Sequence, residues 1–139
     1  MRRTLTITLA MLALAVPTVN AWAAATTAKK VIVAKKTFSG STAQADQWGN
    51  VQVTIVVRKT TTIAGQKKTV KRHIDSITVP VFPDHTGRSQ YISQQALPML
   101  VQEALKAQST HIYLISGATY TSDAFGQSLQ SAITKEKAW

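Results

Sequence analysis

The amino-acid sequence predicts an α+β fold, an antiparallel sheet with C-terminal helices packed on one face. Two patterns carry that class. Apolar residues alternate in the first half, as in Val51, Val53, Ile55 and Val57, whereas in the second half they recur at spacings of three and four. Strands followed by helices along a chain give segregated layers. A third observation, 139 residues of which 45% are hydrophobic, suits one globular domain and rules out two.

The first element to set apart is a leader. Arg2 and Arg3 make a positive start, Leu5 to Val16 is an apolar run broken only by Thr6 and Thr8, and Pro17 leads into small residues. That is the layout of a secretory signal peptide, residues 1–23, with Ala21-Trp22-Ala23 as the cleavage site and Val19-Asn20-Ala21 as its competitor. The alternative is an uncleaved anchor, but a span needs about 20 apolar residues and this run stops at Pro17. An extracytoplasmic location follows, secreted or at the cell envelope. With no Cys in the chain, a disulfide framework, a lipid-modified N-terminus and Cys-ligated metal centres are excluded.

Residues 24–47 read as a flexible lead of Ala, Thr and Lys followed by a first strand from near Val31. Trp48-Gly49-Asn50 then precedes the clean alternation Val51 to Val57, a half-buried strand. Ile77, Val79 and Val81 repeat it, and Pro83, which cannot donate to a ladder, suits its end. Between them, Lys59 to Lys71 holds Gly65, four Lys and a Thr run, which predicts a hairpin with a basic, solvated tip. Ser89 is the expected cap of a helix whose stripe is Ile92, Ala96, Leu100, Ala104 and Ala107. Pro98 inside it would cost roughly 3 kcal/mol in an ideal helix, so a kink or two abutting helices is expected. A last helix is expected to open near Ser122, with Asp123 at its positive end and Phe125, Leu129, Ala132 and Ile133 buried.

The net charge of +10 is unevenly spread. Lys29 to Arg72 carries ten Lys or Arg and one acid, and His73 to Trp139 carries four and five. The basic hairpin Lys59 to Arg72 could therefore face an anionic surface such as an acidic redox partner, a cell-wall polymer or lipid head groups. It could equally be a solvated hairpin that keeps the chain soluble. Nucleic acid is not expected, because the hairpin lacks interleaved aromatics and the chain carries an export signal. No metal site is expected either, since His73, His85 and His111 have no ligand spacing, and no Gly-x-Ser-x-Gly elbow points to a serine hydrolase.

The segment His111 to Ser122 is the most informative. An apolar stretch gives way to Ser116-Gly117-Ala118-Thr119-Tyr120-Thr121-Ser122 and then to a helix start. Small residues admit a ligand to the backbone, hydroxyls donate, and helix N–H groups favour an anion, which together make a phosphate cradle. The plain alternative, that Thr121 or Ser122 is only an N-cap and Gly117 only a turn, is left open by the residues themselves.

Ser116 to Ser122, with Asp123-Ala124-Phe125-Gly126-Gln127-Ser128-Leu129-Gln130-Ser131-Ala132, resembles the C-terminal signature of the FMN-binding domain family. That family includes the flavin-carrying subunits of the sodium-pumping NADH:quinone reductase and of the Rnf complex, and small secreted bacterial proteins. Trp48-Gly49-Asn50-Val51-Gln52-Val53 is similar to the family's aromatic-Gly-x-Val-Gln-Val strand start. Arg88-Ser89 with Ile92, Ala96, Pro98, Leu100, Glu103 and Ala107-Gln108-Ser109 is similar to its helix before the flavin loop. The likeness runs from Trp48 to Ile133, within an expected FMN-binding domain at residues 48–139.

The resemblance implies FMN as cofactor, with Ser116, Gly117, Ala118, Thr121 and Ser122 at its phosphate end. It makes Thr119 the acceptor of a phosphoester to the flavin, which is attachment and not catalysis. Gly49 would admit the isoalloxazine ring beside the sheet, or is a turn glycine. Trp48 and Tyr120 would stack on the ring, or pack as ordinary aromatics. One departure stands out. The family's flavin-transferase pattern has an Asp three residues before the Ser, and here that residue is Tyr113. The implied function is an exported flavoprotein that relays electrons between redox protein partners, membrane-bound ones included, with a flavin transferase as a further partner. The alternatives are a small flavin reductase, for which no nicotinamide motif is present, and a cofactor-free binding module that uses its basic hairpin on anionic surfaces.

Overall fold

The computed structural model describes residues 28–139, so the expected leader at residues 1–23 lies outside the described residues. The chain forms β1 (Lys30–Ser39), β2 (Ala43–Gln44), a single 3-10 turn (Asp46–Trp48), β3 (Asn50–Ala64), β4 (Lys67–Val81), α1 (Gly87–Ala107) and α2 (Thr119–Lys137). All pairings are antiparallel and all involve β3, which takes β1, β2 and β4 as partners. The class is α+β, as the alternation and the helical stripes predict.

The alternation of β3 decides where the core sits. Val51, Val53, Ile55 and Val57 are buried beneath Phe125, Leu129 and Ala132 of α2 and Leu100 and Ala104 of α1, in one apolar cluster with Phe38 and Ile77. Helix α2 lies on β1, β2 and β3, and α1 packs on β4 and α2. A polar row on α2 stitches it to β3 and to the end of β1. The Ser128 hydroxyl accepts from Val53 N at 2.8 Å, that of Ser131 from Ser41 N at 3.0 Å, and Lys135 Nζ donates to Ser39 O at 2.7 Å. Gly40 permits this approach, because a Cβ there would run into the Ser128 carbonyl oxygen.

Four sequence expectations change in detail. Helix α1 is capped by Thr86 and not by Ser89. Ser89 is the third helical residue of a reciprocal capping box, its N donating to Thr86 Oγ1 and its hydroxyl accepting from Thr86 N, both at 3.0 Å. The helix runs unbroken through Pro98, because Pro98 and Gln94, whose carbonyl loses its donor, both face solvent. Its buried stripe is Ser89, Ser93, Ala96, Leu97, Leu100 and Ala104, and Ala107 is exposed where the helix ends. Helix α2 opens at Thr119, three residues before Ser122.

The largest change concerns the basic hairpin. Lys59 to Lys71 is strand almost throughout, paired from Lys59↔Arg72 to Ala64↔Lys67, with only Gly65 and Gln66 in the turn. Gly65 has φ 61° at the first central position, where two-residue hairpins favour glycine. No apolar alternation announces these strands because neither face of the ribbon is fully buried. Their signal is the β-branched run Thr60, Thr61, Thr62 and Ile63.

The ribbon is fastened at its base. Asp75 takes Lys35 at 2.9 Å and Arg58 at 3.0 Å, joining all three long strands. Arg72 meets Glu136 of α2 at 2.9 Å, and Lys59 donates to the Trp139 main-chain oxygen while its ammonium sits over the indole. Gln108, in a left-handed conformation (φ 52°) at the end of α1, accepts from Ile74 N at 2.7 Å and donates to Ile74 O at 3.1 Å, beside the register shift in β4.

Two outcomes follow from these contacts. Ser128→Ala leaves the buried N–H of Val53 unpaired, so unfolding in urea should show a loss of about 1–3 kcal/mol, with Ser128→Thr milder if its hydroxyl keeps the bond. The hydrogen bond from Lys35, with the nearby Arg58 charge, holds the Asp75 carboxyl below its ordinary value of 3.8. A depressed carboxylate contributes stability that is complete above its unfolded value and is lost as pH falls through the lower folded one. Protection factors of the ribbon-base amides, which correct for the intrinsic slowing of exchange in acid, should therefore fall below about pH 4, as they should in Asp75→Asn at neutral pH, where α2 keeps its protection.

Candidate functional site

The turn before β3 and the start of α2 meet at one end of the sheet. Trp48 N donates to Ala45 O at 3.1 Å and Ala45 N to Gly49 O at 2.7 Å, closing the turn that launches β3. Gly49 sits at φ 123°, ψ −156°, a region open essentially only to glycine. Pro83 and His85 lie where its Cβ would point, both at about 3.5 Å.

Across from this turn, the apolar stretch before α2 is held down by its neighbours. Tyr113 N donates to the Glu103 carboxylate of α1 at 2.8 Å. Ile115 N donates to Ser122 Oγ at 3.1 Å, and that hydroxyl donates to Ala118 O at 2.9 Å. Ser122 therefore has the chemistry of an N-cap but sits inside the helix, where its proton is committed to the loop. Ala118 is the N-cap, and it offers no side-chain acceptor. The first intrahelical bond is Ser122 N to Ala118 O, which leaves the N–H groups of Thr119, Tyr120 and Thr121 without a carbonyl four residues back. No acidic side chain stands in this first turn. The plain N-cap reading of Thr121 or Ser122 is thus not the geometry found.

These groups face a cleft. Trp48, Pro83, Ser89, Ile92, Gly117, Ala118, Thr119, Tyr120 and Thr121 line about 290 Å³ of space, counting its open mouth. Through Ile92, Gly117 and Ala118 it continues into a groove of about 640 Å³ along Tyr91, Gln95, Met99, Ile115 and Ser116. Of this space, about 30 Å³ in the cleft and about 340 Å³ in the groove can be entered by a water-sized sphere, so the groove, and not the cleft alone, reaches the size of small-molecule sites. Of the site residues expected from sequence, Gly117, Ala118, Thr119 and Thr121 line the cleft and Ser116 the groove. Ser122 lies behind the wall as its brace. Gly49 lies one residue from the wall at Trp48. Trp48 and Tyr120, the stacking candidates, both border the cleft, some seventy positions apart in the chain.

Sequence reasoning missed the opposite wall, Pro83 with Ser89 and Ile92 of α1. Ser93 Oγ donates to Pro83 O at 2.8 Å and so sets the segment after β4 against the helix. The signal was present in the spacing of Ser89, Ile92, Ser93 and Ala96, which shares one helical face but reads as core.

The donor set suits a phosphate monoester. Three first-turn N–H groups and the hydroxyls of exposed Ser116 and Thr119 gather where the helix dipole is positive, beside indole, phenol, proline and isoleucine surfaces that suit a flat apolar ring. A family model for the FMN-binding domain matches residues 46–134, from the turn before β3 to the last turns of α2. The chain belongs to the FMN-binding domain family. Its cofactor is FMN. No curated protein matches the chain. The matched residues contain the whole cleft wall and exclude β1.

Gly117 allows a direct check of the loop. It holds φ 80°, and nothing lies within 4 Å of the position a Cβ would take. Gly117→Val should therefore disturb the local backbone by about 1–2 kcal/mol without a clash in the core. The expected result is loss of FMN binding with circular dichroism unchanged. FMN at wild-type stoichiometry in this variant would place the flavin elsewhere.

Proposed function

We propose that this protein is an exported electron carrier that holds FMN in the cleft between Trp48 and the start of α2, with the phosphate end on Ser116 to Ala118 and the first turn of α2. The observation that carries this reading is the uncapped first turn of α2 opening into an aromatic-walled cleft. Among the described residues no Lys or Arg lines the cleft or the groove, so the phosphate would be held by Thr119, Tyr120 and Thr121 N–H groups and by the hydroxyls of Ser116 and Thr119. Trp48, Ile92 and Tyr120 would flank the ring and shield one side of it from water. FMN, when bound, supplies one- and two-electron transfer.

The surroundings of the cleft favour relay over turnover of a small substrate. Tyr120 of the cleft and Tyr91 and Met99 of the groove are large apolar or aromatic residues left exposed, a rim suited to transient contact with a redox protein. The cleft already accounts for a cofactor, and no second pocket beside it carries a nicotinamide motif. Membership of the family argues against a cofactor-free module.

Thr119 is the proposed attachment point for a phosphoester. It is exposed at the first position of α2, whereas Thr121 is 5% exposed and Ser122 1%. A transferase needs a hydroxyl it can reach. Tyr113, 83% exposed, takes the place of the acidic residue implied by the family's transferase pattern, so binding and attachment can come apart. Co-expression with a family transferase, then denaturation and intact-mass measurement, tests this. Thr119→Ala is expected to abolish covalent flavin while native protein still binds FMN, and Tyr113→Asp to raise the covalent fraction. Covalent flavin in Thr119→Ala would move the acceptor to another hydroxyl. Colourless protein that cannot be reconstituted with FMN would overturn the carrier reading.

A further inference from the structure

Beyond their fastened base, β1, β3 and β4 continue as a three-stranded ribbon that neither helix covers. At the base every cation has a partner: Lys35 and Arg58 on Asp75, Arg72 on Glu136, Lys59 on the Trp139 main chain, and Lys36 over the Phe38 and Trp139 rings. Toward the tip the pattern changes. Lys30, Lys67, Lys68 and Lys71 are exposed and, among the described residues, paired with no carboxylate. Interleaved with them, Val31, Ile32, Val33 and Val70 are 39–55% exposed.

The register sorts these residues. Lys30, Ile63 and Lys68 lie opposite one another across the three strands, and Ile32, Thr61 and Val70 form the next row on the same face. A row with two lysines thus stands directly above a row with two aliphatics. A soluble polyanion would satisfy the lysines and leave the aliphatics in water. An anionic bilayer takes both, lipid phosphates meeting the ammonium groups while the aliphatic side chains enter the boundary of head groups and acyl chains. We infer that the tip of this ribbon is a docking surface for anionic lipid bilayers.

The contact is peripheral in the described domain, since no described helix is long and apolar enough to cross a membrane. Docking also has a direction. Trp48 and Gly49 precede the first residue of β3 and the tip follows its last, and a strand of 15 residues at about 3.3 Å per residue is roughly 50 Å long. The ribbon tip on the bilayer leaves the cleft at the far end of β3, open to partners in solution. This direction rests on the flavin reading above, whereas the docking itself does not.

Co-sedimentation of the purified full chain with vesicles tests the docking, the N-terminus being defined by intact mass so that every variant shares it. Binding should be strong to phosphatidylcholine vesicles with about one third phosphatidylglycerol, weak to phosphatidylcholine alone, and reduced by salt. Lys30→Gln/Lys68→Gln should lower partitioning roughly 25-fold, at about fivefold per lysine, while the charge-matched Lys106→Gln/Lys137→Gln changes it little. Ile32→Ser/Val70→Ser should lower vesicle binding and leave binding to soluble polyglutamate unchanged. Circular dichroism and urea midpoints show that each variant is folded. Equal binding to neutral and anionic vesicles, equal losses in both charge-matched pairs, or no effect of Ile32→Ser/Val70→Ser would overturn the proposal, the last result marking a plain polyanion surface. Bound flavin is read separately by absorbance, so failure of docking and failure of the carrier reading are distinguishable.

Discussion

The burial of Val51, Val53, Ile55 and Val57 beneath Phe125 and Leu129 is the constraint on which the rest of the molecule depends. It sets the register of β3, because a slip by one residue would turn that row to solvent and bring Gln52 and Thr54 inward. Since β1, β2 and β4 all pair with β3, fixing one strand fixes the sheet. Full burial of each of these side chains contributes on the order of 1.5–3 kcal/mol. The same packing sets α2 along its length, with Ser128 pairing the Val53 N–H where β3 runs past the end of β1.

Placement of α2 in turn builds the cleft. A side-chain cap is typically worth about 1 kcal/mol, and α2 forgoes it at Ala118. The hydroxyl best suited to capping, Ser122, lies one turn further in and holds the loop through Ile115 N and Ala118 O. The stability that a cap would add is given up there, and the first-turn N–H groups of Thr119, Tyr120 and Thr121 are left without helical partners. Glu103, through Tyr113 N, supports the other end of the same loop without putting a carboxylate into the cleft.

Charge is partitioned with the same economy. Most of the basic excess lies on the ribbon, yet Asp75, Glu136 and the aromatic pair Phe38 and Trp139, with ring centroids 5.7 Å apart, engage its base. Of the ribbon lysines, those toward the tip have no carboxylate partner among the described residues. Lysines on outer strands also discourage edge-to-edge pairing of strands that nothing covers. The two ends of β3 thus differ in kind, with an aromatic cleft free of Lys and Arg at one and a cationic ribbon with aliphatic side chains at the other.

The fold class, the buried row of β3 and most of the helical stripes were determined by the sequence itself, as was the run of small and hydroxyl residues Ser116 to Ser122 that leads into α2. Each is written in local periodicity or in a short run of small and hydroxyl residues, and the resemblance on Trp48 to Ile133 pointed to FMN. Features that depend on residues distant in the chain were decided only by the tertiary structure. Pro98 is tolerated because its side of α1 faces solvent, and Thr86 is the cap because Ser89 reaches back to it. Pro83 and Ile92 become cleft wall because β4 delivers the chain beside α1. How far β3 and β4 extend into the hairpin was hidden because alternation appears in a sequence only where one face is buried, and there both faces lie open. Whether Ser122 caps α2 or braces its loop was likewise not legible, since a serine near a helix start satisfies both patterns and only the positions of Ile115 N and Ala118 O choose between them.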